Sequence, residues 1–405
     1  MRVVFLSPNY PAEMVQFTRG LAEVGAEVYG VAETPKDALP PLVKKCLAGY
    51  LQVPRIMDEN DVMDRVSAWL RGTPMDRVLA NWEPLTILAA RLRERWSMPG
   101  MSVDTVVAFR DKQLMKERVK AAGLRVPKSV RVRTEAEIRA AAEDVGYPLI
   151  LKPIAGAGSA DTHKVRDDAE LVRVMQKMQH VQEASCEEFI EGEEFTYDTV
   201  SVDGVPGYEN IAQYLPKPIE MRSQQWISPV IITVKDMYQP RLQPGVVLGR
   251  QVLKALSMGD GFTHMEWFLT PKGEAVFGEI GCRAPGGHLV DQMNYSNDVD
   301  LFREWARAVC WKSVENIGPR RYNCGIIFKR AQGEGRITRI EGLNRWKQLA
   351  GPAFVDDQLL RPGSPRRNWL QTLVSDGFVI CRHPHWDEAF RISMAAATDI
   401  TLYAA

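Results

Sequence analysis

Two glutamates, Glu266 and Glu279, flank the turn signal Pro271-Lys272-Gly273, which separates two apolar-rich runs. In an antiparallel hairpin about that turn, paired residue numbers keep a constant sum. The register that sets Glu266 opposite Glu279 also pairs Phe268 with Phe277 and His264 with Gly281. Alternation along the strands then gives one face to His264, Glu266, Phe268, Phe277 and Glu279. The other face, with Met265, Trp267, Leu269, Val276 and Ile280, is a core face. Directly opposed residues have Cβ atoms roughly 4.5–5.5 Å apart, where like charges repel. Two carboxylates so placed call for a cation, a shared proton or water. A hard divalent cation such as Mg²⁺ takes carboxylate ligands alongside phosphate oxygens. Arg283, followed by Ala284-Pro285-Gly286-Gly287, adds a planar cation suited to a carboxylate. The combination reads as a metal–phosphate site with an anion clamp beside it, although a solvated hairpin with two surface glutamates fits the same spacing.

A second chemical signal lies earlier in the chain. Lys152 ends an apolar strand and leads into the small-residue loop Ala155-Gly156-Ala157-Gly158-Ser159-Ala160. Glycines let backbone N–H groups approach phosphate oxygens, and a lysine before such a loop supplies a point charge for the same anion. Lys112 sits early in a helix, where main-chain amides favour anions. Residues 187–194 form an acidic, turn-containing stretch. Taken singly, these features also fit an ordinary hairpin turn, a surface lysine and a solvated acidic hairpin. The chain has neither a Walker A sequence nor the kinase catalytic-loop set, so a nucleotide would be held by another route.

Composition bounds the reading. The chain has 405 residues, 45% hydrophobic and 25% charged, and suggests two to four subdomains of a globular enzyme. Basic and acidic residues balance at 51 each, which points away from nucleic acid and anionic membranes as partners. No apolar run is long enough for a membrane span, and the N-terminal run is too short for a signal peptide. Six scattered cysteines with no C-x-x-C suit reduced thiols and a cytoplasmic location.

The elements that must position these groups follow from periodicity and breakers. A strand at 3–6, a helix at 11–24 and a strand at 26–31 open a parallel α/β unit. Its first turn, Ser7-Pro8-Asn9-Tyr10-Pro11, lacks the dinucleotide glycine fingerprint, and Glu33 alone is a weak ribose-binding signal. Asn81-Trp82-Glu83 ends a strand at 78–80, where ligands of open α/β sheets collect, and a helix follows at about 85–96. Helices at 111–120 and 135–144 precede a strand at 148–152, and strands near 186–190 and 195–202 flank the turn Glu191-Gly192-Glu193. Residues 207–230 read as a long functional loop or irregular hairpin. Helices near 246–257 and 299–311 bracket the glutamate hairpin. Strands at 324–329, 336–340 and 378–382 and a helix at 386–397 complete the chain.

In this order, Lys112, Leu151-Lys152 with its loop, Glu187–Glu194, Glu266, Glu279 and Arg283 resemble the ATP-grasp superfamily. The stretches Phe109–Lys112, Gly123–Pro127, Tyr147–Pro153 and Glu187–Thr196 resemble its entry helix, second-lysine strand and adenine hinge. Gly333–Thr338 and Asp376–Ile380 are a looser echo of a biotin-carboxylase-type C-terminal domain. The resemblance implies mixed α/β and α+β architecture: a Rossmann-like domain at 1–105, a small lid lobe at 106–186, a large lobe at 187–318 and an α+β domain at 319–405. It implies ATP and Mg²⁺ as cofactors, with Mn²⁺ as the alternative ion. Lys112 and Lys152 would contact phosphates, and Gly156, Gly158, Ser159 and Ala160 would close over them. Main-chain groups of Glu188 and Ile190 would recognise adenine, Glu194 the ribose, and Glu266 and Glu279 the metal. Arg283 would hold the acceptor carboxylate or the transferring phosphoryl group, His264 would stabilise an anion, and Arg222 is a candidate substrate contact. Many relatives carry asparagine where this chain has Gly281, so the second metal ion is in doubt.

The implied activity is a carboxylate–amine ligase that activates a small acid, such as an amino acid, as an acyl phosphate. Its partners would be a small-molecule carboxylate and an amine, and the resemblance also allows a homodimer. A bicarbonate-using carboxylase is the alternative, although the chain lacks a Met-Lys-Met carrier site. A dinucleotide-binding oxidoreductase or a non-catalytic binding protein is the alternative of another class. Cys381, His383 and His385 alternate onto one face, but without a fourth ligand they fit an edge strand ending at Pro384 better than zinc.

Overall fold

The computed structural model describes residues 1–154, 161–221 and 223–405. Val3, Val4, Phe5 and Leu6 are buried, as a strand covered on both faces requires. They form the core of strand β1 (Arg2–Leu6), which pairs in parallel with β2 (Glu27–Ala32) and β4 (Arg77–Ala80). With β3 (Leu47–Gln52) these make a four-stranded sheet of order β3-β2-β1-β4. The helix Met14–Glu23 lies between this sheet and the rest of the molecule. Its Phe17 ring meets Phe302 and Trp305 edge-on, at centroid distances of 4.9 and 5.0 Å. Glu33, the candidate ribose acid, instead accepts the Ile56 N–H at 2.7 Å.

A small antiparallel sheet follows, of β5 (Ser129–Val132), β6 (Leu149–Pro153), β7 (His163–Val165) and β8 (Ala184–Glu188), in the order β5-β8-β6-β7. Leu149, Leu151 and Cys186 face its core with helices Glu135–Val145 and Asp168–Lys177. Ile150, Lys152 and Glu187 alternate to the other face, which opens onto a cleft. The helix Glu135–Val145 begins with a capping box formed by Thr134 and Glu137.

The largest sheet has eight strands, in the order β13-β12-β9-β10-β11-β14-β17-β16. It contains β9 (Glu193–Val202), β10 (Val205–Leu215), β11 (Val230–Thr233), β12 (Gly261–Leu269) and β13 (Ala275–Gly281). Beyond β11 it continues through β14 (Asn323–Phe328), β17 (Phe378–His383) and β16 (Phe354–Asp357). A separate pair, β15 (Ile337–Glu341) and β18 (Thr401–Ala404), closes the C-terminal section. The helix Gln243–Ala255 lies on the sheet at Gly245, where an added Cβ would collide with the Trp267 indole.

The stretch 207–230 takes the second of its two expected forms, an irregular hairpin: β10, which extends to Leu215, pairs antiparallel with β11, which starts at Val230, and a short helix covers Pro218–Met221 between them. Its alternation was hidden by polar residues that are buried in the sheet, such as Asn210 and Gln213. The strand bearing Cys381 is not an edge, because β17 pairs with both β14 and β16. Cys381 is buried with its Sγ 3.3 Å from the Ser393 hydroxyl.

Candidate functional site

The glutamate hairpin is β12–β13, and its register sets Glu266 opposite Glu279 and His264 opposite Gly281. The expected Phe268–Phe277 pair does not form, because the register slips at Gly278 and Phe277 pairs with Trp267. Such a bulge opposes two residues to one and turns the strand. An added Cβ at Gly278 would come within 2.7 Å of the Glu266 carbonyl oxygen, so the bulge needs glycine's bare backbone. Phe277 accordingly joins Met265, Trp267, Leu269 and Ile280 in the core rather than the glutamates. The two glutamates are no surface pair: their side chains keep 23% and 29% of their exposure.

Three segments converge on these carboxylates. Asp111 caps the helix Lys112–Ala121, accepting from the Gln113 and Leu114 amides at 2.9 and 3.0 Å, and so fixes Lys112 at the first turn. Lys112 Nζ donates to Glu279 Oε2 at 2.6 Å. From the small sheet, Lys152 Nζ lies 3.8 Å from the same oxygen and 3.1 Å from Glu187 Oε2. Lys116, one helical turn beyond Lys112, pairs with Glu187 Oε1 at 2.5 Å. The cleft between these elements is open to solvent, and its lining includes seven candidates named from the sequence, Lys112, Lys152, Glu188, Ile190, Glu194, Glu266 and Glu279, together with Glu187, Phe189, Lys217 and Phe268.

The charges in the cleft set one another. Burial would push the Glu279 carboxyl up, but Lys112 and Lys152 overrule it and hold it at about 2. Burial and the Glu279 charge instead push Glu266 up. Glu194 is driven well above the carboxylate range by burial and by Glu266. Burial disfavours the charge on Lys152, yet Glu187 and Glu279 outweigh that and raise it. Lys116 is lowered to about 8, because burial prevails over Glu187.

His264 Nδ1 lies 2.5 Å from the buried Asp198 carboxylate, which also accepts from Thr196 and Asn210. Its Nε2 is 3.8 Å from Glu266 Oε1, and the Tyr214 hydroxyl donates to that oxygen at 3.2 Å. Arg283 reaches away from the hairpin to Glu83, with Nε at 3.0 Å and Nη2 at 2.9 Å, and Arg110 holds the other Glu83 oxygen. Burial would raise Glu83, but Arg283 and Arg110 keep it below the usual carboxylate range. The Glu188 side chain is turned to Arg125 at 2.6 Å, and its main-chain N–H donates to the Lys128 carbonyl at 2.8 Å. Gly156, Gly158, Ser159, Ala160 and Arg222 lie outside the described residues.

Sequence reading gave no role to Lys116, Glu187, Asp198 or Arg110. The four-residue spacing of Lys112 and Lys116 puts both on one helix face, which was a usable signal. Glu187 lies within a run of adjacent glutamates, and only its partners distinguish it from Glu188.

A divalent cation fits these residues. Among the described residues no cluster of three or more His, Cys, Asp or Glu could enclose a metal alone. Mg²⁺ needs no such cage, since it binds through one or two carboxylates, substrate phosphates and water. Glu279 Oε2 holds the Lys112 ammonium at 2.6 Å with Lys152 3.8 Å away, so a cation would share this carboxylate with two lysines and draw its other ligands from Glu266, phosphate and water.

Residues 111–193 match the family model described as "Carbamoyl-phosphate synthase L chain, ATP binding domain". The L-arginine-specific L-amino acid ligase of Bacillus subtilis is 22% identical, over 88% of this chain and 86% of its own length. Alanine–anticapsin ligase of Bacillus subtilis is 24% identical, over 62% of this chain and 58% of its own. Among solved structures, L-amino acid ligase from Bacillus licheniformis superposes with a TM-score of 0.79 at 20% identity, covering 100% of this chain and 99% of that one. N5-carboxyaminoimidazole ribonucleotide synthetase from Thermotoga maritima gives 0.70 at 16% identity, covering 100% and 99%.

Proposed function

Taking membership of the ATP-grasp superfamily as the premise, we propose that this chain is an ATP-dependent carboxylate–amine ligase that acts on an amino acid. The observation that supports this reading best is the meeting of Lys112, Lys152, Glu266 and Glu279, from three separate segments, in one cleft. Lys112 and Lys152 take the phosphate oxygens of ATP, the Glu188–Ile190 main chain takes adenine and Glu194 the ribose. Glu266 and Glu279 would hold Mg²⁺, which when bound neutralises charge on the transferring phosphoryl group. Arg283, steadied by Glu83, holds the substrate carboxylate so that its oxygen attacks the γ-phosphorus in line and ADP leaves. The resulting acyl phosphate is attacked by an amine, which expels inorganic phosphate and forms an amide. His264, oriented by Asp198 and with Nε2 3.8 Å from Glu266 Oε1, would stabilise negative charge that develops on the reacting groups. Water must be excluded meanwhile, because it would hydrolyse the mixed anhydride.

The test is phosphate release from Mg·ATP over pools of amino acids and amines. Release that needs both an acid and an amine is the expected result. Release driven by bicarbonate alone would mean carboxylation instead, and thermal protection by NAD(P) but not Mg·ATP would mean a dinucleotide protein.

A further inference from the structure

A second cavity, partly open to solvent, lies where the N-terminal sheet meets the eight-stranded sheet, and none of its lining residues is shared with the cleft. Asn81, Arg93, Met101, Phe262, Cys282 and Trp305 line it. Asn81 is 3% exposed, and its Oδ1 accepts the Ala284 N–H at 2.8 Å. Among the described residues its Nδ2 has no hydrogen-bond partner. A buried donor without an acceptor is costly and calls for one.

Arg93 supplies a cation to the lining of the same cavity. Its guanidinium donates three hydrogen bonds, all to main-chain carbonyls, with Met101 at 3.2 and 2.8 Å and Val78 at 3.0 Å. Five N–H groups are available on a guanidinium, so donors exceed these acceptors. Among the described residues no carboxylate forms an ion pair with Arg93, and burial pushes its pKa below the ordinary value. Cys282 offers no counter-charge, because burial pushes its thiol up to about 12. Asp260 also lines the cavity, but Oδ1 accepts from the Asp203 amide at 2.8 Å and Oδ2 pairs with Lys312 at 3.2 Å.

We propose that this cavity binds a small carboxylate, its head on Arg93 and the Asn81 amide and its hydrocarbon part against Phe262, Met101 and Trp305. A planar guanidinium and a planar amide suit a planar carboxylate, and the apolar wall favours a short tail over a fully hydrated oxyanion. An occupant would brace the Asn81–Ala284 tether, one residue from Arg283.

The experiment reads the thermal midpoint of the full chain with propionate, acetate or phosphate at matched ionic strength and without ATP, so its outcome is independent of ligase activity. A saturable rise is expected, largest with propionate. It persists in Arg283→Gln, which lacks the cleft's own carboxylate clamp, and disappears in Arg93→Gln. Absence of a saturable rise, an undiminished rise in Arg93→Gln, its loss in Arg283→Gln, or phosphate matching propionate would each overturn the assignment. Should Arg93→Gln fail to fold, a crystal structure of the unaltered protein grown with propionate decides: carboxylate density on Arg93 and Asn81 supports the site, and water alone refutes it.

Discussion

Arg283 and Glu83 meet at 2.9 Å, although 200 positions separate them in sequence. One follows the hairpin of the eight-stranded sheet and the other follows β4 of the N-terminal sheet. Arg283→Lys keeps the charge but loses the planar fork that reaches Glu83 and that, under the proposed function, would also hold a substrate carboxylate. A fall of about 10²-fold in kcat/KM for the acid is expected. The KM for ATP should change little, and a comparable rise in that KM would contradict the assignment.

Glu279→Gln should abolish ATP turnover while leaving the fold intact, because it removes the charge that Lys112, Lys152 and a cation share. A loss of at least about 10²-fold in phosphate release is expected, with an unchanged circular dichroism spectrum. Normal turnover by a folded variant would remove the metal assignment.

Loading the cleft should release protons. Burial and Glu279 hold Glu266 above its ordinary value, and burial and Glu266 do the same for Glu194. A bound cation favours the ionised forms, so affinity for Mg·ATP should rise with pH while these groups titrate. Calorimetry in buffers of different ionisation enthalpy would count the protons. Glu266→Gln should release fewer than the unaltered protein, and an equal count would refute the role.

Glu187 and Lys116 form a buried pair whose rupture should cost about 3–5 kcal/mol in urea unfolding of Glu187→Gln. Their pH signatures differ in sign. Glu187 is depressed because Lys116 and Lys152 outweigh burial, so its contribution is present above the unfolded value of 4.5 and is lost as pH falls below it. Lys116, lowered to about 8 by burial, releases its proton in the folded state before the unfolded state does at 10.5. Stability should therefore rise across that window, by at most about 1.4 kcal/mol per pH unit, and Lys116→Met should not show the rise. Parallel curves for the two proteins would exclude this titration.

The cleft was legible where chemistry repeats along the chain, as in the facing glutamates about Pro271–Gly273 and the lysine ending an apolar strand. The bulge was not, because Gly278 carries no side chain to report which face it occupies. Glu187, Asp198 and Arg110 were missed for a common reason: each is defined by partners far away in sequence. The parallel opening of the chain was plain from Val3–Leu6, whereas β10 was obscured by buried polar residues that bond within the sheet. Arg93 gave no signal, since a helix bearing several arginines looks solvated until its packing is known.

The eight strands from β13 to β16 are hydrogen-bonded without a break, and their order carries the hairpin of Glu266 and Glu279 into the C-terminal section. The separate four-stranded sheet carries Lys152 and Glu187, so a movement of that sheet alone would pull Lys152 off Glu279 while Lys112 stays in place. Under the proposed function, one phosphate contact would then persist and the other would report closure.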